Sequence, residues 1–295
     1  MSTYLQTKNL TKDYGRGRGA IDINIEINSG EIVGFIGPNG AGKTTTMRLI
    51  MGMIKQDAGE VTLFNKPITN FTDIDEVIAR IGFLSGEVNF YGAMTAKQLF
   101  AYASEIYGHD YSNRADELST ELDLDQNRQF KYMSLGNKKK IGIIHALLHN
   151  PDLIILDEPT SGLDPLIQQK VLNLLKNARE EGKAVFLSSH VLSEVQQVCD
   201  RIIMIKDARI IMQDDTKAIL AKAVKIFRLT DVPEKLQQQL AKLEGVRDVQ
   251  QAGHEITIYA TNPAPVIEAL VANKRYDFYL ERTSLEDMFL AEYKS

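Results

Sequence analysis

Gly37-Pro38-Asn39-Gly40-Ala41-Gly42-Lys43-Thr44 is the stretch on which the reading of this chain turns. It fills every fixed position of the pattern G-x-x-x-x-G-K-[ST]. Glycines let the backbone curl so that successive N–H groups face phosphate oxygens, and a following helix adds its positive N-terminus. Lys43 then reaches the β- and γ-phosphates, the Thr44 hydroxyl is a ligand for Mg²⁺, and Thr45 beside it joins the nucleotide contacts. The flanks supply the required context. Glu31–Ile36 carries Ile32, Val33, Phe35 and Ile36, a nearly continuous apolar run typical of a parallel strand buried on both faces. Thr44–Met53 has helical spacing, with Met47, Ile50 and Met51 on one side. Gly15-Arg16-Gly17-Arg18-Gly19 resembles a second phosphate loop but opens no helix, so it reads as a flexible hairpin turn.

Working outward, Leu153-Ile154-Ile155-Leu156 is a second apolar run, and it ends in Asp157-Glu158. A buried strand would deliver Asp157 to the sheet edge beside the phosphate loop, to hold Mg²⁺ directly or through water. Glu158 is then placed to orient and deprotonate an attacking water. Asp164 and Pro165 supply an N-cap and a first-turn proline for a helix that stops at Gly182. Ala184–Leu187 is a third buried strand, and Arg201–Met212 reads as a hairpin turning at Asp207–Ala208. Residues 95–150 are mostly helical, with Thr95 and Gln98 forming a capping box. Strands alternating with helices imply an α/β fold with a mostly parallel core sheet.

From about Val224 the order becomes strand, helix, strand, strand, helix, strand, a ferredoxin-like βαββαβ arrangement. A last helix, capped by Ser284, carries Leu285, Met288 and Phe289. The expected division is residues 1–222, with a helical subdomain near 88–150, followed by an accessory domain at 223–295. The accessory domain reads as regulatory, dimer-supporting or simply a packing unit. The length of 295 residues fits two domains.

Composition limits the function classes. Hydrophobic residues make up 44% and charged residues 25%, and 34 Lys+Arg against 39 Asp+Glu leave a net charge of −5. That balance gives no broad footprint for nucleic acid, so no nucleic-acid partner is expected. No apolar run approaches the roughly 18–20 residues needed to cross a bilayer. Cys199 is the one cysteine, which excludes an internal disulfide framework and fits a reducing compartment.

Taken together, these motifs resemble the ATP-binding-cassette (ABC) ATPases over about residues 4–215. Pro159-Thr160-Ser161-Gly162-Leu163-Asp164 looks like that family's D-loop, His190 after Phe186-Leu187-Ser188-Ser189 like its switch histidine, and Tyr14 like the aromatic that stacks on adenine. The resemblance implies a P-loop NTPase fold, a RecA-like core with antiparallel β and helical subdomains. It also implies ATP and Mg²⁺ as ligands, and two cassettes closing head to tail as a homo- or heterodimer. Lys43, Thr44, Asp157, Glu158 and His190 would act on the γ-phosphate, and the partner cassette would contribute the signature serine. The segment Leu285-Glu286-Asp287-Met288-Phe289-Leu290 looks like that of ABC-2-type exporter subunits. The implied protein is therefore cytoplasmic, held on the inner face of the cell membrane by a separate integral-membrane permease. A non-transport ABC ATPase of translation or DNA maintenance is the alternative. A small-molecule P-loop kinase is disfavoured because the loops at 134–137 and 161–164 would then have no role.

The chain departs from the family in two places. The signature Leu-Ser-Gly-Gly-Gln appears as Met133-Ser134-Leu135-Gly136-Asn137, so Ser134 and Gly136 fit while Leu135 replaces a glycine. A branched side chain there would obstruct close approach to the partner's phosphate and slow turnover, but tolerated drift among exporter subunits is the favoured reading of both departures. The family's loop glutamine would fall near Gly86, where Glu87 is a possible substitute in contact with Mg²⁺. Lys138-Lys139-Lys140 reads as a solvated face in preference to a phosphate contact across the dimer. His145 and His149 have metal-ligand spacing without the accompanying carboxylate, which argues against a metal role.

Overall fold

The computed structural model describes residues 2–69, 71–222 and 225–282 and divides into two units, Met1–Asp215 and Thr216–Ser295. In the first unit, β1 (Thr3–Asp13) and β2 (Gly19–Asn28) form a hairpin, and β3 (Ile32–Ile36) leads through the phosphate loop into α1 (Lys43–Ile50). A second hairpin, β4 (Ala58–Leu63) and β5 (Lys66–Ile68), is followed by α2 (Phe71–Asp75) and β6 (Ile81–Leu84). The helices α3 (Ala96–Tyr107), α4 (Ser112–Glu121) and α5 (Leu135–Leu147) come next. The chain then alternates: β7 (Leu153–Asp157), α6 (Pro165–Glu180), β8 (Ala184–Ser189), α7 (Leu192–Val198), β9 (Arg201–Lys206) and β10 (Arg209–Asp215).

Two sheets result. One is antiparallel, in the order β2-β1-β4-β5. The other runs β10-β9-β3-β8-β7-β6, parallel throughout except for the β9–β10 hairpin. Every residue of β3, β7 and β8 is buried, as their unbroken apolar runs require of strands covered on both faces. Phe35 and Phe186 meet at 5.4 Å between ring centroids within the core of this unit. The Asp207–Ala208 turn has both residues at positive φ, the geometry that matches the twist of a tight hairpin. Both bonds of the Thr95–Gln98 capping box are present at the start of α3.

The structure places both the histidine pair and the lysine run of the helical region. His149 is buried, its Nε2 lies 3.1 Å from the Ile81 carbonyl, and its ring stacks on Tyr107 at 4.2 Å. Among the described residues no three or more histidine, cysteine or carboxylate side chains are gathered as metal ligands. The three lysines are not a solvated face, since Lys139 and Lys140 are both buried. Packing of α5 against the segments before and after it carries their aliphatic stems inward, and backbone carbonyls receive the ammonium groups.

The second unit has α8 (Thr216–Lys222), β11 (Lys225–Thr230), α9 (Glu234–Leu240), β12 (Val246–Ala252), β13 (Glu255–Ala260), α10 (Ala264–Ala272) and β14 (Phe278–Arg282). The antiparallel sheet order is β12-β13-β11-β14, and Phe227, Leu229, Ile256 and Ile258 pack with Leu236, Leu240, Val266 and Leu270 of the helices. On the alternate positions Arg228 pairs with Glu255 at 3.1 Å and Glu281 at 3.0 Å. The helix expected from Ser284 lies outside the described residues. No helix among those described is long and apolar enough to cross a membrane.

Burial pulls the His149 imidazole down to about 4. The unfolded chain, with an ordinary histidine near 6.5, therefore takes up this proton first as pH falls. His149 should titrate near pH 4 by NMR, and unfolding midpoints should fall more between pH 6.5 and 4.5 in the parent than in His149→Phe. A titration near 6.5 would contradict the buried, neutral assignment.

Candidate functional site

Three neighbouring parallel strands end at the same edge of the sheet and aim their C-terminal residues at one place. From β3 comes the phosphate loop, whose Gly42 has φ +115° and sits where a Cβ would come within 2.2 Å of the Gly19 carbonyl oxygen. Only glycine satisfies both demands, which is why the loop can turn so sharply into α1. Lys43 is buried; its ammonium donates to the Gly37 carbonyl at 2.7 Å and the Pro38 carbonyl at 3.2 Å.

From β7 comes Asp157, 2% exposed. Its Oδ2 accepts from the Thr44 hydroxyl at 2.6 Å and its Oδ1 from the Ser188 hydroxyl, also at 2.6 Å. Ser188 Oγ in turn accepts from the Glu158 backbone N–H at 3.0 Å. Glu158 adopts a left-handed conformation, φ +52°, uncommon and strained for a residue with a side chain. That turn swings its carboxylate out of the strand line. Oε1 lies 3.3 Å from Lys43 Nζ, and Oε2 lies 2.6 Å from Nδ1 of His190, just past the end of β8. A carboxylate only accepts, so His190 Nδ1 carries the proton in this pair.

The Lys43, Thr44, Thr45, Glu158 and His190 side of the site opens into a cavity of about 370 Å³, also lined by Tyr14, Pro38, Asn39, Gly40 and Gly42. Gly37 and Ala41 shape the loop from behind and do not line it, and Asp157 lies buried beneath. Tyr14 is half exposed, with the Lys12 ammonium 5.9 Å from its ring centre. Ser134, Gly136 and Asp164 are not brought into this cavity. Ser134 caps α5 by accepting from the Asn137 N–H, and Asp164 caps α6 by accepting from the Ile167 N–H. Leu135 stands 82% exposed beside Ser134. Position 86 is occupied by a glycine against Asp157, and Glu87 lines a separate hollow with Leu135 and Lys139.

Sequence reasoning passed over Arg18, Ser188 and Lys139. Arg18 lines the cavity from the very loop read as a plain turn, and its basic side chain beside the phosphate loop was the available signal. Ser188 lies in the run leading to His190, and its link to Asp157 spans 31 residues, beyond any local pattern.

A cavity bounded by a phosphate loop, a hydroxyl–carboxylate pair and a second carboxylate held by histidine and lysine can seat a nucleoside triphosphate and activate water beside its last phosphate. Known proteins agree. The family model for the ABC transporter matches residues 21–161. The bacitracin transport ATP-binding protein BcrA of Bacillus licheniformis is 37% identical over 72% of this chain and 69% of its own. The uncharacterized ABC transporter ATP-binding protein YhcH of Bacillus subtilis is 34% identical over 98% of this chain and 96% of its own. The dimeric post-hydrolysis structure of the ATP-binding cassette MJ0796, bound to ADP and Pi, superposes with a TM-score of 0.62 at 29% identity, over 72% of this chain and 98% of that one. This chain therefore belongs to the ABC transporter family as an ATP-binding subunit, an ATPase whose hydrolysis is coupled to transport.

Proposed function

We propose that Glu158 is the general base of ATP hydrolysis in this subunit and that the residues around it divide the remaining tasks. The observation that carries this reading is the pairing of Glu158 with both Lys43 and His190 directly above the Asp157–Thr44 hydrogen bond. Triphosphate oxygens entering the loop would draw the Lys43 ammonium and leave the Glu158 carboxylate free to accept a proton from water. The water oxygen then bonds to the γ-phosphorus as the bond from that phosphorus to the ADP oxygen breaks. His190 holds Glu158 through Nδ1–H at the wall of the cavity that would take the triphosphate. Tyr14 offers its ring to the adenine, and the amides of residues 37–45 cradle the phosphates.

The Thr44 and Asp157 oxygens, 2.6 Å apart, are hard donors of the kind Mg²⁺ takes together with phosphate and water, so these two residues would hold it. The bound ion would neutralise charge developing on the β- and γ-phosphates. Ser134, Gly136 and Asp164, lying outside the cavity of their own chain, are suited to act across a head-to-tail dimer. The likeness to a dimeric cassette supports that arrangement.

The finer assignment is an exporter subunit on an ABC-2-type permease, placing the chain on the cytoplasmic face of the membrane. The transport name of BcrA and the Leu285–Leu290 resemblance support it. The non-transport alternative gains no support from the relatives found. Leu135, exposed on the signature loop, would hold turnover below about ten per second.

Three measurements follow. Glu158→Gln should lose at least about 100-fold in turnover, keep ATP affinity within about threefold, and accumulate as a dimer with ATP on size exclusion. Parental turnover in that variant would remove Glu158 as the base. Ser188→Ala, which frees one Asp157 oxygen and the Glu158 amide, should slow turnover about tenfold, roughly 1.4 kcal/mol, with ATP affinity little changed. Leu135→Gly should turn over several-fold faster than the parent; an equal or lower steady-state rate would mean the side chain obstructs nothing.

A further inference from the structure

Three consecutive lysines lie in the N-terminal half of α5, and each has a different partner. Lys138 places its ammonium 5.1 Å from the Phe130 ring centre, and Lys140 donates to the Asp123 carbonyl at 2.9 Å. Both serve the helical region. Lys139 faces the catalytic edge instead. It is 6% exposed, and its ammonium donates to the Gly86 carbonyl at 3.2 Å and the Asp157 carbonyl at 3.3 Å.

One belongs to Asp157, the last residue of β7 and still paired to β8, and the other to Gly86, two residues past the end of β6. The β6–β7 ladder ends with Leu84 opposite Leu156, so beyond it no backbone pairing holds residue 86 to residue 157. The Lys139 ammonium supplies that connection from the side. The loop it holds lies close to the metal carboxylate, since a Cβ at Gly86 would sit 3.0 Å from Asp157 Oδ2. A shift of the loop toward β7 would press on the oxygen that accepts from Thr44.

A buried ammonium is costly unless its donors and charge are answered. Here two carbonyls answer the donors. Burial pulls the Lys139 ammonium below the ordinary lysine range, while the neighbouring charges of Asp157 and Glu158 work in the opposite direction.

We propose that Lys139 is a positioning residue for hydrolysis: its ammonium ties the loop at 85–89 and the end of β7 to the helix that carries the signature loop. Asp157 and Glu158 then keep their register with Thr44 and Lys43 only while that loop is seated. This rests on the reading of Glu158 as the base, and it adds a route by which displacement of the 85–89 loop reaches the site. The same loop borders a hollow with Leu135, Ser161 and Gly162, so the link also joins the site to the signature loop of its own chain.

Lys139→Met in the full-length chain keeps the aliphatic stem and removes both donors and charge. The expected result is about a tenfold loss of kcat with ATP affinity within about twofold of the parent. Amide hydrogen exchange at residues 85–89 should accelerate about tenfold while α1 stays protected. Lys139→Arg, which keeps charge and donors, should recover kcat to within about threefold. Parental kcat in Lys139→Met overturns the proposal; so does a slow variant with parental exchange at 85–89, or exchange rising evenly along α5. Should the methionine variant not fold, Lys139→Gln replaces it, because its side chain is uncharged and one bond too short to reach the carbonyls as the ammonium does; parental kcat and exchange there overturn the link equally. Glu158→Gln runs beside these. Turnover surviving in Glu158→Gln would defeat the base assignment, whereas an inactive Glu158→Gln beside a parental Lys139→Met would defeat only the Lys139 link.

Discussion

The buried carboxylate of Asp157 is the constraint around which the first unit is organised. A carboxylate this far from water is tolerable only when its oxygens are satisfied, and a bare ionised group would cost several kcal/mol or more. Two hydroxyls satisfy it, one from each side: Thr44 at the start of α1 and Ser188 near the end of β8. Three segments far apart in sequence are thus locked at one point. Removing either hydroxyl loosens the others.

The parallel sheet makes this possible. With β8 between β3 and β7, the ends of all three strands lie within side-chain reach. The strand bodies are apolar and buried on both faces, so the polar residues can appear only where the strands stop. The left-handed turn at Glu158 follows from this arrangement. Its amide is committed to Ser188, and its side chain must leave the strand axis to reach Lys43 and His190. Strain at that residue is held in place by the hydrogen bonds on either side of it.

Much of the site was legible in the sequence because its chemistry fixes residue types at short spacing. The phosphate loop, the Asp157–Glu158 strand end and the Asp164 cap are local patterns, and each is read from fewer than ten residues. Lys139 and Lys140 were misread for the opposite reason. Lysine in a run looks solvated, and only the packing of α5 on the ends of β6 and β7 buries the ammonium against carbonyls 53 and 18 residues away. Ser188 was invisible as a site residue because serine on a strand carries no signal until its neighbour strand is known. His145 and His149 serve packing instead: His145 on α5 lies against Phe90, and His149, just past the end of α5, stacks on Tyr107.

Asp157, set by Thr44 and Ser188, would on this proposal make nucleotide binding depend on Mg²⁺. Equilibrium binding of ATP with Mg²⁺ and with a chelator, in the parent and in Asp157→Asn, tests it most directly. Mg²⁺ should strengthen binding in the parent, and Asp157→Asn should lose about tenfold or more of that gain while binding ATP alike in chelator. A full Mg²⁺ response in Asp157→Asn would contradict it.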